Sequence, residues 1–394
     1  MTASLAPLPV MSATDRIDAL RLARTPGVGS INFARLMTQY GSAGAALAAL
    51  PARMRKAGRR EEPVIPSVSR MTEELERLEK LGGNMLIRSD RDYPLLLSRV
   101  PDAPPVLFTL GDVRKLSVRA VGVVGARNAS AAGIRMAESL SAEMAHAGLC
   151  VISGLARGID SAAHAAALHP GLTVAAIAGG LDHVYPPENA SLQQQIAERG
   201  CLVTEALLGT APQARHFPRR NRLIAGMSQA CLIIEAMLGS GTLITADLAQ
   251  SYNRELLVVP GSPLDPRSRG GNQLLKTGQA TLTENISDIL QALPLELPPR
   301  ELAPWQRAPG HNPLLTGFSE PSVAWGAAPE DDWIDPDVIQ KTVCALLSVT
   351  PVAVDEVVRR CQFSVSAVLA TLAELELGGV VEFVPGGRVA LLPN

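Results

Sequence analysis

Between Val118 and Pro260 the chain repeats one pattern: a short run of consecutive apolar, β-rich residues, then a longer Ala-rich stretch. The runs are VRAVGVV, LCVIS, TVAAIA, CLVTE, ACLIIE and ELLVVP, with stretches such as AGIRMAESLSAEMAHAG and GIDSAAHAAAL between them. Unbroken apolar runs belong to strands covered on both faces. Alternation with helices at this pitch predicts a parallel, Rossmann-like α/β sheet with crossover helices on each side. Ligands of such folds bind beyond the carboxyl ends of the strands, where the strand order reverses.

The two ends of the chain read differently. Upstream, TDRIDALRLARTPGVGSINFARLMTQYGSAGAAL predicts helices separated by Gly27-Val28-Gly29, a tight hairpin of small residues. It looks like a helix-hairpin-helix or SAM-like module. Such a hairpin either offers backbone N–H groups to a DNA phosphate or is purely structural, with only Arg24 and Arg35 nearby. Downstream, a proline-dense span carries Trp305, Trp325 and Trp333, all the tryptophans of the protein, and has the composition of a linker whose rings suit docking on a neighbouring surface. DVIQKTVCALLS, VAVDEVVRR and SVSAVLATLAELELGG then predict three helices, and VVEFVPGGRVALL two strands around a Gly-Gly turn, the order of a winged helix. The expected division is a helical module at 1–84, the sheet domain at 85–293, the linker at 294–334 and the winged helix at 335–394.

Composition narrows the function. At 394 residues the chain exceeds one ordinary core, and its apolar runs stop short of the roughly 18 residues a membrane span needs. The N-terminus has no basic start followed by a sustained apolar stretch, so secretion is not expected. Cys150, Cys201, Cys231, Cys344 and Cys361 stand singly, the first three in or beside strand-like runs, and read as small buried hydrophobes in a reducing cytoplasm, with no metal site. A net charge of −2 excludes global attraction to nucleic acid, so any polyanion site is a local patch.

Candidate patches lie at the strand ends. In GVVGARNASAAG, Gly125 and Arg127 precede a helix whose N-terminus suits an anion, while the GxGxxG of a dinucleotide site is absent. In SGLARGIDSAAH, Ser153 and Gly154 begin a turn carrying Arg157, and Gly158 opens a helix on which Asp160 and His164 share a face. That pair reads as a catalytic couple, or as a capping Asp with a packed or phosphate-facing His. In GGLDHVYPPENASL, Asn189 suits a helix cap, and Tyr185 stacks on a base or fills a loop cavity. QARHFPRRNRLIAG places Arg215, Arg219, Arg220, Asn221 and Arg222 together without an acid, Phe217 and Pro218 interrupting, as a phosphate site or a solvated face. Finally Ser240, Gly241 and Thr242 of EAMLGSGTLITA open a helix, as a phosphate-binding turn or an ordinary cap.

These motifs in this order resemble the bacterial DNA-processing protein A (DprA/Smf) family, from IRSDRDYPLLLSRVPDAPPVLFTLGD through to VVPGSPLDPRSRGGNQLLKTG. The resemblance implies a cofactor-free protein that binds single-stranded DNA by its backbone, forms homodimers and loads the RecA recombinase during natural transformation. It assigns DNA contact to the GARN loop, the SGLARGID loop and the RRNR segment. The region of Gly270 to Gly278, with Leu274 and Leu275, matches the one used for dimer and recombinase contacts. One departure stands out: family members often carry a Lys in the loop that here reads YPPEN, where Pro187 and Glu188 bring no positive charge.

Two rivals come from other classes. GSGTLITA resembles the PGGxGTxxE turn of lysine-decarboxylase-like nucleotide phosphoribohydrolases, but Thr245 stands where their Glu would act, so an enzyme is not expected. A winged helix suggests a transcription regulator. From Asp337 onward, however, four cations (Lys341, Arg359, Arg360, Arg388) meet six acids (Asp337, Asp355, Glu356, Glu374, Glu376, Glu382), and the candidate recognition helix offers only acids. Phosphate repulsion then favours a protein-interaction or regulatory role.

Overall fold

The computed structural model describes residues 11–57, 62–294, 297, 336–361, 363 and 365–392; the three tryptophans and nearly all of the expected linker lie outside these residues. Four helices come first: α1 (Ala13–Ala23), α2 (Ser30–Tyr40), α3 (Ala43–Lys56) and α4 (Val68–Lys80). Ser12 and Asp15 form a capping box on α1, and Ser42 and Ser67 cap α3 and α4. Gly41 ends α2 in the left-handed conformation at φ 74°, which a side chain would strain.

The chain then alternates as the apolar runs predict: β1 (Gly83–Ile87), α5 (Leu95–Ser98), β2 (Val106–Gly111), β3 (Ala120–Gly125), α6 (Ala131–His146), β4 (Cys150–Ser153), α7 (Ile159–Ala167), β5 (Thr173–Ala176), α8 (Ala190–Arg199) and β6 (Cys201–Thr204). It continues with α9 (His216–Met227), β7 (Ala230–Ile234), α10 (Gly241–Ser251), β8 (Glu255–Val258), α11 (Arg269–Lys276), β9 (Thr281–Leu282) and α12 (Ile286–Ala292). The nine strands lie in the order β1-β2-β6-β5-β4-β3-β7-β8-β9. From β6 across to β9 all neighbours are parallel; β1 and β2 add an antiparallel edge through β6. The order reverses at β3, which pairs with β4 on one side and β7 on the other, so a crevice opens beyond Gly125 and Ile234.

The helical module is not a separate body. Leu20, Phe33, Leu50 and Met54 belong to one buried apolar cluster with Met85, Phe108 and Leu202 of the sheet. Cys150, Cys201 and Cys231 are buried free thiols, their pKa values pushed up by burial. No described helix is long and apolar enough to cross a membrane.

Helices α13 (Pro336–Leu346), α14 (Val354–Cys361) and α15 (Val365–Leu377) form the winged helix with strands β10 (Val352–Ala353), β11 (Val381–Val384) and β12 (Arg388–Leu391). Gly386 and Gly387, both at positive φ, make the hairpin turn between β11 and β12. Its third helix, α15, docks on the N-terminal helices. Asn32 donates to the Glu376 carboxylate and to the Ala373 carbonyl, Arg35 donates to the Ala370 carbonyl, and Arg53 pairs with Glu374.

Candidate nucleic-acid interface

A cavity of about 520 Å³ fills the crevice between the ends of β3 and β7. Three helices start beside it, and their N-termini have different fates. At α6, Ser130 caps the Gly133 amide, but its own amide and hydroxyl donate to the Glu235 carboxylate, the amide at 2.9 Å. Gly133 is needed because a Cβ there would lie 2.7 Å from the Glu235 carboxyl carbon. Glu235 itself sits at φ 57°, a strained conformation held at the end of β7. The anion expected at the GARN helix is thus supplied by the protein.

At α7 the turn is closed too. Asp160 accepts from the amides of Gly154 at 3.1 Å and Ala156 at 3.3 Å, and the Ile159 amide donates to the Ala126 carbonyl at 3.2 Å. Gly158, at φ 73°, lets the chain pass against that carbonyl. The Ser153 hydroxyl is buried and donates to the Val123 carbonyl at 2.6 Å. Burial pushes the Asp160 pKa up, opposed by Arg220 and the amide donors. His164 is packed: Nδ1 meets the Thr173 hydroxyl at 2.7 Å, and burial followed by the field of Arg220 depresses its pKa to about 3. The pair is a turn brace that takes the Gly154 and Ala156 amides, so these two are not free for phosphate. Arg157 lies outside the cavity lining and pairs with Glu188, so the acid of the YPPEN loop neutralises the arginine of the neighbouring loop.

Only α10 is open. Ser240 precedes it without a side-chain cap, and its hydroxyl is buried with no partner. The Gly241 and Thr242 amides find no acceptor among the described residues, and a Cβ on Gly241 would meet nothing within 4 Å. The Thr242 hydroxyl donates to the Gly125 carbonyl at 3.1 Å, which fixes the turn to the end of β3. Facing it stands Arg127, exposed, its guanidinium 5.3 Å from the Phe217 ring centre, which lies 5.3 Å from the half-exposed Tyr185 ring. Arg267, anchored by Asp265 at 2.8 Å, also borders the cavity. An open helix N-terminus beside two arginines suits phosphate, and the ring ledge suits an unstacked base.

The RRNR segment divides, because it lies inside α9 rather than before it. That helix packs against the sheet, α5 and α10, and buries Leu223, Ile224, Ala225 and Met227. Arg220, 6% exposed, forms part of the cavity floor, donating to the carbonyls of Gly154 and Ala176; Gly154 permits its close approach. Burial lowers its pKa to about 10. Arg222, 5% exposed, turns away from the cavity to pair with Glu205 and the Asp102 carbonyl; burial pulls its pKa down, but Glu205 and Asp102 more than reverse this. Both are struts rather than surface phosphate contacts. Asn221 bridges Arg220 and the Gly241 carbonyl, and Arg219 is exposed at a second cavity.

Leu274 faces the core, 8% exposed, and Leu275 is half-buried against it, so neither presents an open apolar face in this chain. Sequence reasoning missed Glu235 and Arg267. Of the ledge it singled out Tyr185, as a ring that stacks on a base or fills a loop cavity, and noted Phe217 only as an interruption between arginines.

The family described as DNA recombination-mediator protein A matches residues 84–294. The chain belongs to that family. Its DprA-like N-terminal HHH domain matches residues 13–76, and the DprA winged helix domain 327–387. Protein Smf of Synechocystis is 35% identical over 80% of this chain and 81% of its own length. DNA processing protein DprA of Bacillus subtilis is 40% identical over 54% of this chain and 72% of its own. The X-ray structure of DNA processing protein A from Streptococcus pneumoniae superposes with a TM-score of 0.60 at 31% identity, covering 73% of this chain and all of that one.

Proposed function

We propose that this chain binds single-stranded DNA by its backbone and, as a homodimer in the cytoplasm, protects the strand and loads it with a RecA-type recombinase in natural transformation and homologous recombination. The observation that carries this reading is the uncapped N-terminus of α10, its amides facing the cavity beside Arg127. Family membership and relatives named for DNA processing support it. Preference for single strands follows from the Tyr185–Phe217 ledge, which only unpaired bases reach to stack. With Leu274 facing the core, the dimer surface is sought among the exposed apolar residues nearby, Leu282 on β9 and Leu290 on α12.

We read the protein as a binder rather than an enzyme. Both carboxylates beside the cavity, Asp160 and Glu235, are engaged by amide or hydroxyl donors, and Thr245 is buried where the phosphoribohydrolase Glu would stand. The test is a salt series of binding to single-stranded and duplex DNA, alongside incubation with nucleoside monophosphates. Tighter single-strand binding with a linear fall of log K against log salt is expected. Equal affinity for duplex, or release of free base, overturns the reading.

A further inference from the structure

A second cavity, of about 240 Å³, lies where the N-terminal helices meet the carboxyl end of the sheet. Its wall joins Arg24 from the end of α1, Thr210 and Leu207 from the loop after β6, and His216 and Arg219 from the first turn of α9. Arg220 borders both cavities, so a strand leaving the first has only that turn of α9 to cross.

The positive charge here is only partly compensated: Glu205 is the acid in the wall, and Glu376 of the winged helix feels Arg219. Arg219 is exposed and makes no hydrogen bond or ion pair among the described residues. Arg24 donates through Nη2 to the Glu205 carbonyl and stacks 5.5 Å from the Phe108 ring, yet its Nε, shut off from solvent, has no acceptor. Burial first, and Arg219 as well, lower its pKa against the pull of Glu205 and Glu74. Neither acid is free: Glu205 pairs with Arg222, and Glu74 accepts from the Leu208 amide at 2.7 Å and lies 3.6 Å from Arg77. His216 registers the same field, its pKa lowered by burial and then by Arg215 and Arg219. Two guanidiniums beside an apolar wall of Ile177 and Leu207 match one nucleotide, phosphate and base.

We propose that this junction cavity is a second nucleotide subsite, taking a phosphate of the same single strand whose other contact is the α10 N-terminus. The inference rests on the proposed single-strand binding and assigns the helical module a direct share in it. Oligothymidylates of about 2 and about 20 nucleotides, the first too short to occupy both adjoining cavities and the second long enough for both, separate the two sites on the full chain. Arg219→Ala, at a side chain with no hydrogen bond or ion pair among the described residues, should weaken the long strand several-fold and reduce its salt slope by about 0.7, while the short strand stays within about twofold. The long strand alone should also raise the His216 pKa, read by NMR. Equal losses at both lengths would place Arg219 in the first cavity, and no loss at either would remove the subsite; both overturn the proposal. Arg127→Ala reports on the underlying reading independently: if it changes neither length while Arg219→Ala still weakens the long strand, the first site fails and the junction stands.

Discussion

The starts of α7 and α10 are alike in sequence and opposite in use. Each follows a buried strand, passes through glycines and small polar residues, and opens a helix at the same sheet edge. The α7 turn gives two of its amides to Asp160, two residues into its own helix, whereas α10 has no carboxylate there and leaves the Gly241 and Thr242 amides open. A glycine-rich turn is therefore an anion site only when no acid of the chain reaches it first. On this contrast α7 holds the fold and α10 is the proposed site of the ligand.

Acid should strike the α7 side hardest. His164 is neutral in the fold down to about pH 3, while in the unfolded chain it takes up a proton near 6.5. Stability is therefore fully present above about pH 6.5 and falls as pH drops toward 3, by about 4 kcal/mol. Urea midpoints between pH 7 and 4 should show this, and His164→Gln should flatten the profile; an unchanged slope would remove His164 as the cause. Asp160→Ala comes next. It leaves the Gly154 and Ala156 amides without their acceptor and Arg220 without its nearest acid, costing about 3 kcal/mol in a urea melt and giving no gain in DNA affinity. A gain in affinity would mean that the α7 turn is a latent phosphate site and the contrast is false.

On the α10 side the effects are on binding. Arg127→Ala should lower single-strand affinity about 10-fold for all sequences alike and reduce the salt slope by about 0.7, with the melt unchanged. Loss confined to particular sequences would replace backbone contact with base readout. The smallest and sharpest test is Gly241→Pro. Position 241 begins the helix, has open space for a Cβ, and follows Ser240 at φ −75° and ψ 155°, which proline accepts. The fold should persist while one amide is lost, weakening binding a few-fold; Gly241→Ala should bind like the parent. Equal affinity of the two variants would show that the amides of α10 do not touch the strand.

Most of the sheet was legible because buried parallel strands read as unbroken apolar runs, and the end modules because caps and the Gly-Gly turn punctuate them. The antiparallel edge escaped: Gly83–Ile87 and Val106–Gly111 stand apart from the strand–helix alternation, and nothing local tells a strand which neighbour it will meet. Within the site, Arg127 and the Ser240–Thr242 turn were found because loop glycines mark strand ends. Arg220, Arg222 and Leu274 were misplaced for one physical reason: sequence shows a charge or an apolar residue, but not which side of a short helix its neighbours will cover. Glu235 was missed because the N-terminus it closes is 105 residues away along the chain.

The docked winged helix has a consequence of its own. Its Glu376 carboxylate lies against Gly29 and accepts from Asn32 at the start of α2, and burial raises its pKa to about 7. Since the free carboxyl titrates near 4.5, docking is strongest below that pH and weakens as pH rises toward 7, beyond which it changes no further. The contact is also intramolecular, so its strength is set by a tether rather than by concentration, and a modest loss of affinity is enough to change how often it opens. If burial in this contact is what holds the proton on Glu376, the third helix of the winged helix should act as a proton-weighted latch on the helical module, and a pH-independent contact would show that the shift arises within the winged helix, where Glu382 also raises it.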